Sequence, residues 1–145
     1  MSTIDDVKML EFPEHGDSRG YLVVVEGGEG RHIPFVIKRI FYIYGPNGMY
    51  GPGDDVVRGK HANRHSEFCL VNVRGSCKVR AVDCDGGEKV FSLDKPHRAV
   101  YLPTMIWKEM YDFSEDSILL VLSGNYYDKG EYISDFDEFL RSGKS

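Results

Sequence analysis

The feature that most restricts the fold is a pair of apolar runs on either side of a short turn. Residues 68–73 and 77–82 flank an Arg-Gly-Ser turn at residues 74–76. In the second run, small apolar residues alternate with Lys78 and Arg80. A period of two residues is typical of a strand that buries one face. The pattern therefore predicts two consecutive antiparallel strands.

Strand signals of the same kind recur along most of the chain. The predicted strands are residues 21–26, 35–44, 68–73, 77–82, 89–93, 100–102, 106–111 and 117–123. Turn-forming residues separate them, as in the Asp-Cys-Asp-Gly-Gly run at residues 83–87. Short strands at regular spacing predict an all-β sandwich or barrel and argue against alternating strands and helices.

Only the C-terminal part predicts a helix. Ser134 is a candidate N-cap, and Phe136, Phe139 and Leu140 form an apolar stripe at helical spacing. At 145 residues the chain is expected to form one domain, residues 1–145, with a substantial core. The glycine-rich stretch at residues 45–55 is predicted to be a mobile loop beside the functional segment that follows it.

Charge and hydropathy exclude several classes of function. The formal net charge of -5 and the pI near 5.5 argue against nucleic-acid binding, which needs a basic surface. No apolar run approaches the roughly 20 residues of a membrane-spanning helix. Residues 1–10 contain three charged side chains and no continuous apolar segment, so we expect no secretory signal and a cytoplasmic protein. Of the three cysteines, Cys69 and Cys77 lie in apolar strand patterns and are expected to be buried as small apolar residues.

Candidate functional residues are concentrated immediately before the strand at residues 68–73. They are Arg58, Lys60, His61, Arg64, His65 and Glu67. Histidine titrates near neutral pH, so His61 can take a proton from carbon and return it. Arg58 can hold a phosphate or stabilise an oxyanion. A loop histidine bonded only to backbone is the alternative, but the charged neighbours favour a functional site.

The same segment is similar to the first ligand segment of metal-binding cupins. That segment has the order His-x-His, then Glu, then Gly at the following turn. His61, Glu67 and Gly75 match the pattern, whereas Asn63 stands at the second histidine. Asn63 is compatible with a sugar-binding β-barrel of this kind, but it argues against a bound metal ion.

The second ligand segment of the cupins also departs from the pattern. Trp107 and Lys108 occupy the positions where a histidine ligand would be expected. His61, His65 and Glu67 share side-chain parity, so an irregular metal site formed by these three remains an alternative. We expect proton transfer without a metal or another cofactor.

Four further side chains are candidates for the site. Arg19 follows a turn and is either a surface charge or part of an anion site. Tyr42 is either a core tyrosine or a second catalytic group. Trp107 and Tyr111 are either core residues or the aromatic wall of a nucleotide or sugar pocket.

Taken together, these residues resemble the sugar 3,4-ketoisomerases, the cupin enzymes that act on dTDP-4-keto-6-deoxyglucose. The shared motifs lie at residues 17–20, 34–42, 58–62, 72–79, 107–114 and 125–128. Each motif alone is weak, but their order is specific. The Asp-x-Arg-Gly and Arg-Gly-x-His motifs are also similar to the dTDP-sugar 3,5-epimerases.

The resemblance implies a cupin-type jelly-roll β-barrel with a short C-terminal helix, and a homodimer that is often strand-exchanged. It implies no metal and a histidine that carries a proton between C3 and C4 of the sugar. The predicted catalytic residues are His61 and Tyr42. The predicted substrate-binding residues are Arg19, Arg58, Lys60, Asn63, His65, Glu67, Trp107 and Tyr111.

The expected reaction needs only the carbonyl group already present in the substrate. A base removes the C3 proton to give an enediol, and the proton returns at C4 to leave the carbonyl at C3. A 3,5-epimerase, which returns the proton to the carbon it left, is one alternative. A non-catalytic cupin that binds a nucleotide sugar is another. His61 beside Arg58 favours an enzyme, whereas Asn63 favours the binding protein.

Overall fold

The computed structural model describes residues 1–45 and 56–143 of the chain. The strands, in chain order, are β1 (Lys8–Glu11), β2 (Glu14–Asp17), β3 (Gly20–Val23), β4 (Arg39–Tyr44), β5 (Arg58–Asn63), β6 (Phe68–Arg74), β7 (Cys77–Val82), β8 (Glu88–Leu93), β9 (Arg98–Leu102), β10 (Trp107–Tyr111), β11 (Ile118–Ser123) and β12 (Tyr132–Ile133). The α-helix α1 (Phe136–Ser142) follows, and short 3-10 helices occur at Ile4–Asp6 and Lys129–Glu131.

The strands form two antiparallel sheets that pack face to face. The order is β1-β9-β6-β11-β4 in the first sheet and β12-β5-β10-β7-β8 in the second, while β2 and β3 form a separate hairpin. Strands that follow one another in the chain often lie in different sheets, which is the arrangement of a jelly roll. The sheets remain open at their edges. The predicted all-β jelly roll with a short C-terminal helix is confirmed.

The main core lies between the two sheets, as the strand alternation predicts. Cys77, Val79 and Ala81 of β7 are buried there, while Lys78 of the same strand is exposed. All three cysteines are free and buried. Within the described chain, no helix is long and apolar enough to cross a membrane.

Two predicted strands are wrong in extent, because part of each forms a layer outside the first sheet. The strand predicted at residues 21–26 is limited to β3, whose Tyr21 is 80% exposed. The strand predicted at residues 35–44 begins only at Arg39, since Phe35 and Ile37 fold over the outer face of the first sheet. An apolar run indicates that a segment is buried, but it does not show whether the segment is a strand of a sheet or irregular chain packed on the face of a sheet.

The C-terminal helix covers the outer face of the second sheet. Its N-cap is Asp135 and not the predicted Ser134, because the Asp135 carboxylate accepts hydrogen bonds from the backbone of the first turn. Phe139 is fully buried against Trp107 and Ile133. The predicted loop at residues 45–55 lies, apart from its first residue, outside the described part of the chain.

Candidate active site

A cavity of about 110 Å³ opens between the two sheets. Its walls from the first sheet are apolar and include Phe41 and Phe68. Its polar groups come from the second sheet, where Arg58 and His61 on β5 and Lys108 on β10 line the same space. A small, mostly apolar cavity with a few converging polar groups is the usual form of a small-molecule site.

The pairing of β5 with β10 places His61 and Lys108 side by side. The two residues are direct partners in the antiparallel register, so their side chains project to the same face. The register shifts immediately afterwards, between Lys108 and Glu109. Gly59 occupies this irregularity with φ 85°, and a Cβ there would lie 2.7 Å from the Lys108 carbonyl oxygen. The glycine of the Arg-Gly-x-His motif therefore lets β5 approach β10.

His61 is held in one tautomer as a neutral base. Its Nδ1 lies 3.0 Å from the carbonyl oxygen of Gly59. A carbonyl can only accept, so Nδ1 carries the proton and Nε2 keeps its lone pair. Burial and, secondly, the charge of Lys108 lower the His61 pKa to about 4, although the Gly59 contact and Glu131 oppose them. The ring packs against Tyr132 of β12 with centroids 4.8 Å apart.

Lys108 is the most deeply buried charged side chain of the cavity. It is 3% exposed, and its Nζ donates a hydrogen bond of 3.0 Å to Oδ1 of Asn63. The amine also lies 5.0 Å from the centre of the Phe68 ring. Burial lowers the Lys108 pKa to about 7, and the negative charge of Glu131 opposes that shift only in part.

A buried polar network extends from Lys108 through Asn63 towards Glu131. The Glu131 carboxylate accepts hydrogen bonds from the Ser66 backbone at 3.0 Å and from the Ser66 hydroxyl at 2.8 Å. Burial alone would raise the pKa of Glu131, but its hydrogen bonds with Ser66 and the nearby polar groups of Asn63 and His65 lower it. The Nδ2 atom of Asn63 is buried and has no hydrogen-bond partner among the described residues.

Arg39, which has no carboxylate partner among the described residues, stands at the rim of the cavity. The guanidinium carbon of Arg39 lies 5.3 Å from the Phe41 ring centre, 5.9 Å from that of Phe68 and 5.5 Å from that of Tyr127. Its Nε is buried and makes no hydrogen bond within the described residues. Tyr127 in turn packs on Tyr132, beside His61. The aromatic rings hold a positive charge that remains available to an anion.

Several predicted site residues lie around this cavity, and others do not. Arg58 lines it, and Asn63 reaches it through Lys108. Lys60 is exposed on β5, in alternation with inward His61. His65 is exposed after the end of β5. Glu67 lies on the outer side of the first sheet, where its carboxylate accepts a short hydrogen bond from the Tyr101 hydroxyl.

The irregular metal site considered from the sequence does not form. His61, His65 and Glu67 do not converge, because β5 ends at Asn63 and the chain turns before β6. Across residues 1–45 and 56–143, no three His, Cys, Asp or Glu side chains come together in a way that could hold a metal ion.

The predicted aromatic candidates lie outside the cavity. Tyr42 is exposed on the outer face of the first sheet and stacks on Tyr44, because Phe41 takes the inward position of β4. The aromatic wall predicted with Trp107 is wrong: this side chain packs beneath α1, with its centroid 5.1 Å from that of Phe136. Tyr111 has the same parity on β10 as Trp107 and also faces outwards.

Arg19 lies far out on the hairpin formed by β2 and β3. It is exposed at the tip and forms an ion pair with Asp17 at 2.5 Å. The structure therefore does not bring Arg19 to the cavity of its own chain. The anion-binding role of Arg19 stays a prediction.

The sequence interpretation assigned no role to four residues in or beside the cavity: Arg39, Lys108, Glu131 and Tyr132. One of them was accessible from the pattern. Lys108 alternates with Ile106 and Met110, both of which face the core, so strand parity alone places the lysine inside. Glu131 and Tyr132 carry no comparable signal, because they follow an irregular segment and reach the site through the short strand β12.

The fold and the site together define a jelly-roll protein with a neutral histidine and a buried lysine between its two sheets. A sequence model of the family described as FdtA: WxcM-like, C-terminal, matches residues 5–144. The chain belongs to this family.

Named relatives agree with this assignment. A protein from Aneurinibacillus thermoaerophilus named TDP-4-oxo-6-deoxy-alpha-D-glucose-3,4-oxoisomerase is 39% identical over 134 residues, which are 92% of this chain and 90% of the relative. The structure of WlaRA, a TDP-fucose-3,4-ketoisomerase from Campylobacter jejuni, matches with 38% identity and a TM-score of 0.82 over 94% of this chain and 95% of WlaRA. QdtA, a sugar 3,4-ketoisomerase from Thermoanaerobacterium thermosaccharolyticum solved with TDP, matches with 33% identity and a TM-score of 0.86 over 98% of this chain and 97% of QdtA.

Proposed function

We propose that this protein is a dTDP-sugar 3,4-ketoisomerase that converts dTDP-4-keto-6-deoxyglucose into a dTDP-3-keto-6-deoxyhexose. The observation that carries the proposal is His61, a neutral histidine held in one tautomer between the two sheets. It lies in a chain that is 39% identical to a named 3,4-oxoisomerase. A base of this kind is what proton abstraction beside a carbonyl requires.

In the proposed reaction, Nε2 of His61 removes the proton from C3 of the sugar. The neighbouring C4 carbonyl makes that proton acidic and accepts the electrons, so no metal or organic cofactor takes part. The resulting enediol then receives the proton at C4. The low pKa of His61 keeps the base unprotonated at neutral pH, and the apolar walls exclude water from the intermediate.

The nucleotide is proposed to bind at the rim of the cavity. Arg58 and Arg39 supply positive charge there, and Arg39 has no carboxylate partner among the described residues. Guanidinium groups suit a diphosphate because they form paired, charge-assisted hydrogen bonds. QdtA, which shares this fold, was solved with TDP and, as a histidine-to-asparagine variant, with TDP-4-keto-6-deoxyglucose.

The isomerase is favoured over a 3,5-epimerase and over a non-catalytic binding protein. The more similar relatives are named 3,4-ketoisomerases, whereas the epimerase NovW is 22% identical and shares the fold alone. Ligand binding alone does not explain a desolvated neutral histidine beside a buried amine, whereas proton transfer needs such groups. A cytoplasmic location, expected from the sequence, fits an enzyme of nucleotide-sugar biosynthesis and is part of the proposal.

The proposal includes a homodimer formed through the outer face of the first sheet. This face exposes apolar side chains: Ile40 is 58% exposed, Tyr44 68% and Val73 44%. An apolar groove of about 310 Å³ runs beside them. Exposed apolar surface next to an open sheet edge, here β4, usually marks an interface. Strand exchange would let the hairpin that carries Arg19 reach a second copy.

The direct test follows the sugar protons by NMR after the protein is mixed with dTDP-4-keto-6-deoxyglucose. A ketoisomerase gives a 3-keto product with a new proton at C4. An epimerase keeps the 4-keto group and exchanges protons at C3 and C5. Binding without either change would identify a non-catalytic protein and refute the proposal.

A further inference from the structure

The reaction moves two protons, and His61 accounts for only one of them. The carbon-bound proton passes from C3 to C4, and a hydroxyl proton must also pass from O3 to O4. The first transfer suits a single imidazole that takes and returns the same proton. The second transfer needs a group that can donate near O4 and accept near O3.

Lys108 lies where such a group would be needed. It is the direct cross-strand partner of His61 and lines the same cavity. Its ammonium forms no ion pair within residues 1–45 and 56–143, and its hydrogen-bond partner is a neutral amide. A buried amine without a carboxylate partner is costly to keep charged, so it can change its protonation state during turnover.

We propose that Lys108 is the second proton-transfer group of the reaction and moves the hydroxyl proton between O3 and O4. This inference rests on the proposed ketoisomerase function. In the first step, His61 takes the C3 proton while the Lys108 ammonium gives a proton to O4, which yields the enediol, an imidazolium and a neutral amine. In the second step, the amine takes the O3 proton, the C3 carbonyl forms, and the imidazolium returns its proton to C4. Both side chains are restored.

Asn63 positions Lys108 without competing for its proton. The Oδ1 atom accepts one of the three ammonium N–H groups at 3.0 Å and leaves the other two for the substrate. An amide cannot accept a proton near neutral pH, whereas a histidine at this position would titrate beside the lysine. The pairing of Asn63 with Lys108 therefore accounts for both departures from the cupin histidine pattern in this chain.

The pH dependence of the reaction should reflect both groups. The charged or titratable side chains around Lys108 are His61 and Arg58 from β5, and Glu131 and Tyr132 from the β12 side. Burial lowers the Lys108 pKa to about 7, against the charge of Glu131. The first step needs the ammonium form, so kcat/KM should fall as the pH rises through that value. It also needs neutral His61, whose pKa is about 4, so the acidic limb should lie near pH 4.

The test compares the wild type with Lys108→Arg and Lys108→Met in deuterated water. Arginine keeps the positive charge but does not lose a proton near neutral pH. Methionine removes the charge and is a flexible apolar side chain that can fill the buried space. Conversion to the 3-keto sugar should fall about 10²–10⁴-fold in both variants. Lys108→Arg should still exchange the C3 proton of the substrate through His61, so exchange per product formed should rise. Lys78→Arg, on the outer face of β7, should match the wild type.

The outcomes separate the two hypotheses. A wild type that forms no 3-keto product refutes the ketoisomerase and this inference with it. An active wild type whose kcat/KM stays level from pH 6 to pH 9 refutes the role of Lys108 alone, without any variant. The role of Lys108 is also refuted if Lys108→Met converts the substrate at the wild-type rate. It is refuted as well if the ratio of proton exchange to conversion in Lys108→Arg equals that of the wild type. Loss of conversion with retained exchange, and loss of the alkaline limb in Lys108→Arg, supports the proposal.

Discussion

The backbone of Gly59 packs directly against the carbonyl of Lys108, and a Cβ on Gly59 would lie 2.7 Å from that oxygen. This close approach occurs where the register between β5 and β10 shifts. It also directs the Gly59 carbonyl to Nδ1 of His61 at 3.0 Å. One glycine thus determines both the spacing of the two strands and the tautomer of the histidine.

Gly59→Ala should therefore damage both stability and activity. The substitution adds a clash with backbone to the strain of a positive φ, with an expected loss of roughly 1–3 kcal/mol in the free energy of unfolding. Gly86→Ala is the matched control, because Gly86 has φ 87° but open space around its Cβ. Denaturant unfolding and isomerase assays should show a larger loss of stability for Gly59→Ala and full activity for Gly86→Ala. Equal effects of the two changes would contradict the packing argument.

Activity should survive removal of metal ions. His61, His65 and Glu67, the donors of the alternative metal site, lie apart, and in the proposed reaction the substrate carbonyl serves as the electron acceptor. Dialysis against a strong chelator, followed by the isomerase assay and metal analysis of the protein, checks this expectation. Loss of turnover that zinc, iron or manganese restores would show that the metal-free mechanism is wrong.

Arg58 and Arg39 should contribute to TDP binding. Replacing either with alanine removes a charge-assisted contact worth roughly 1.5–3 kcal/mol, so TDP affinity measured by calorimetry should fall at least about tenfold. Arg80→Ala is the control, since Arg80 forms ion pairs with Glu88 and Glu109 on the outer face of the second sheet. TDP binding that is unchanged in both the Arg58 and Arg39 variants would exclude them from the diphosphate site.

The protein should be a dimer at micromolar concentration. Ile40→Glu and Val73→Glu place a charge in the exposed apolar face of the first sheet and should shift the equilibrium towards monomer. Val90→Glu tests an equally exposed valine on the second sheet and should leave the dimer intact. Light scattering measures all three. A wild type that is monomeric throughout the concentration range would exclude the interface.

Strand parity predicted much of the fold, whereas His61 was predicted as the base from its charged neighbours and from the family resemblance. The alternation around Lys78 identified β7, and the apolar strand after residue 67 identified β6. The sequence could not decide between the two environments left open for Trp107, because which face of β10 is covered depends on α1, an element about 30 residues later in the chain. The contact between Lys108 and Asn63 could not be predicted either, because it depends on the register of β5 against β10.

The most direct test of the account is solvent deuterium exchange in His61→Asn. Asparagine can keep a hydrogen bond near Gly59 but cannot carry a proton near pH 7. The variant should therefore fold and bind TDP normally. Conversion and deuterium incorporation at the sugar carbon should both fall about 10²–10⁴-fold. His65→Asn, at an exposed histidine outside the cavity, should retain wild-type rates. A His61→Asn protein that exchanges deuterium at the wild-type rate would show that another group is the base and would contradict the central claim.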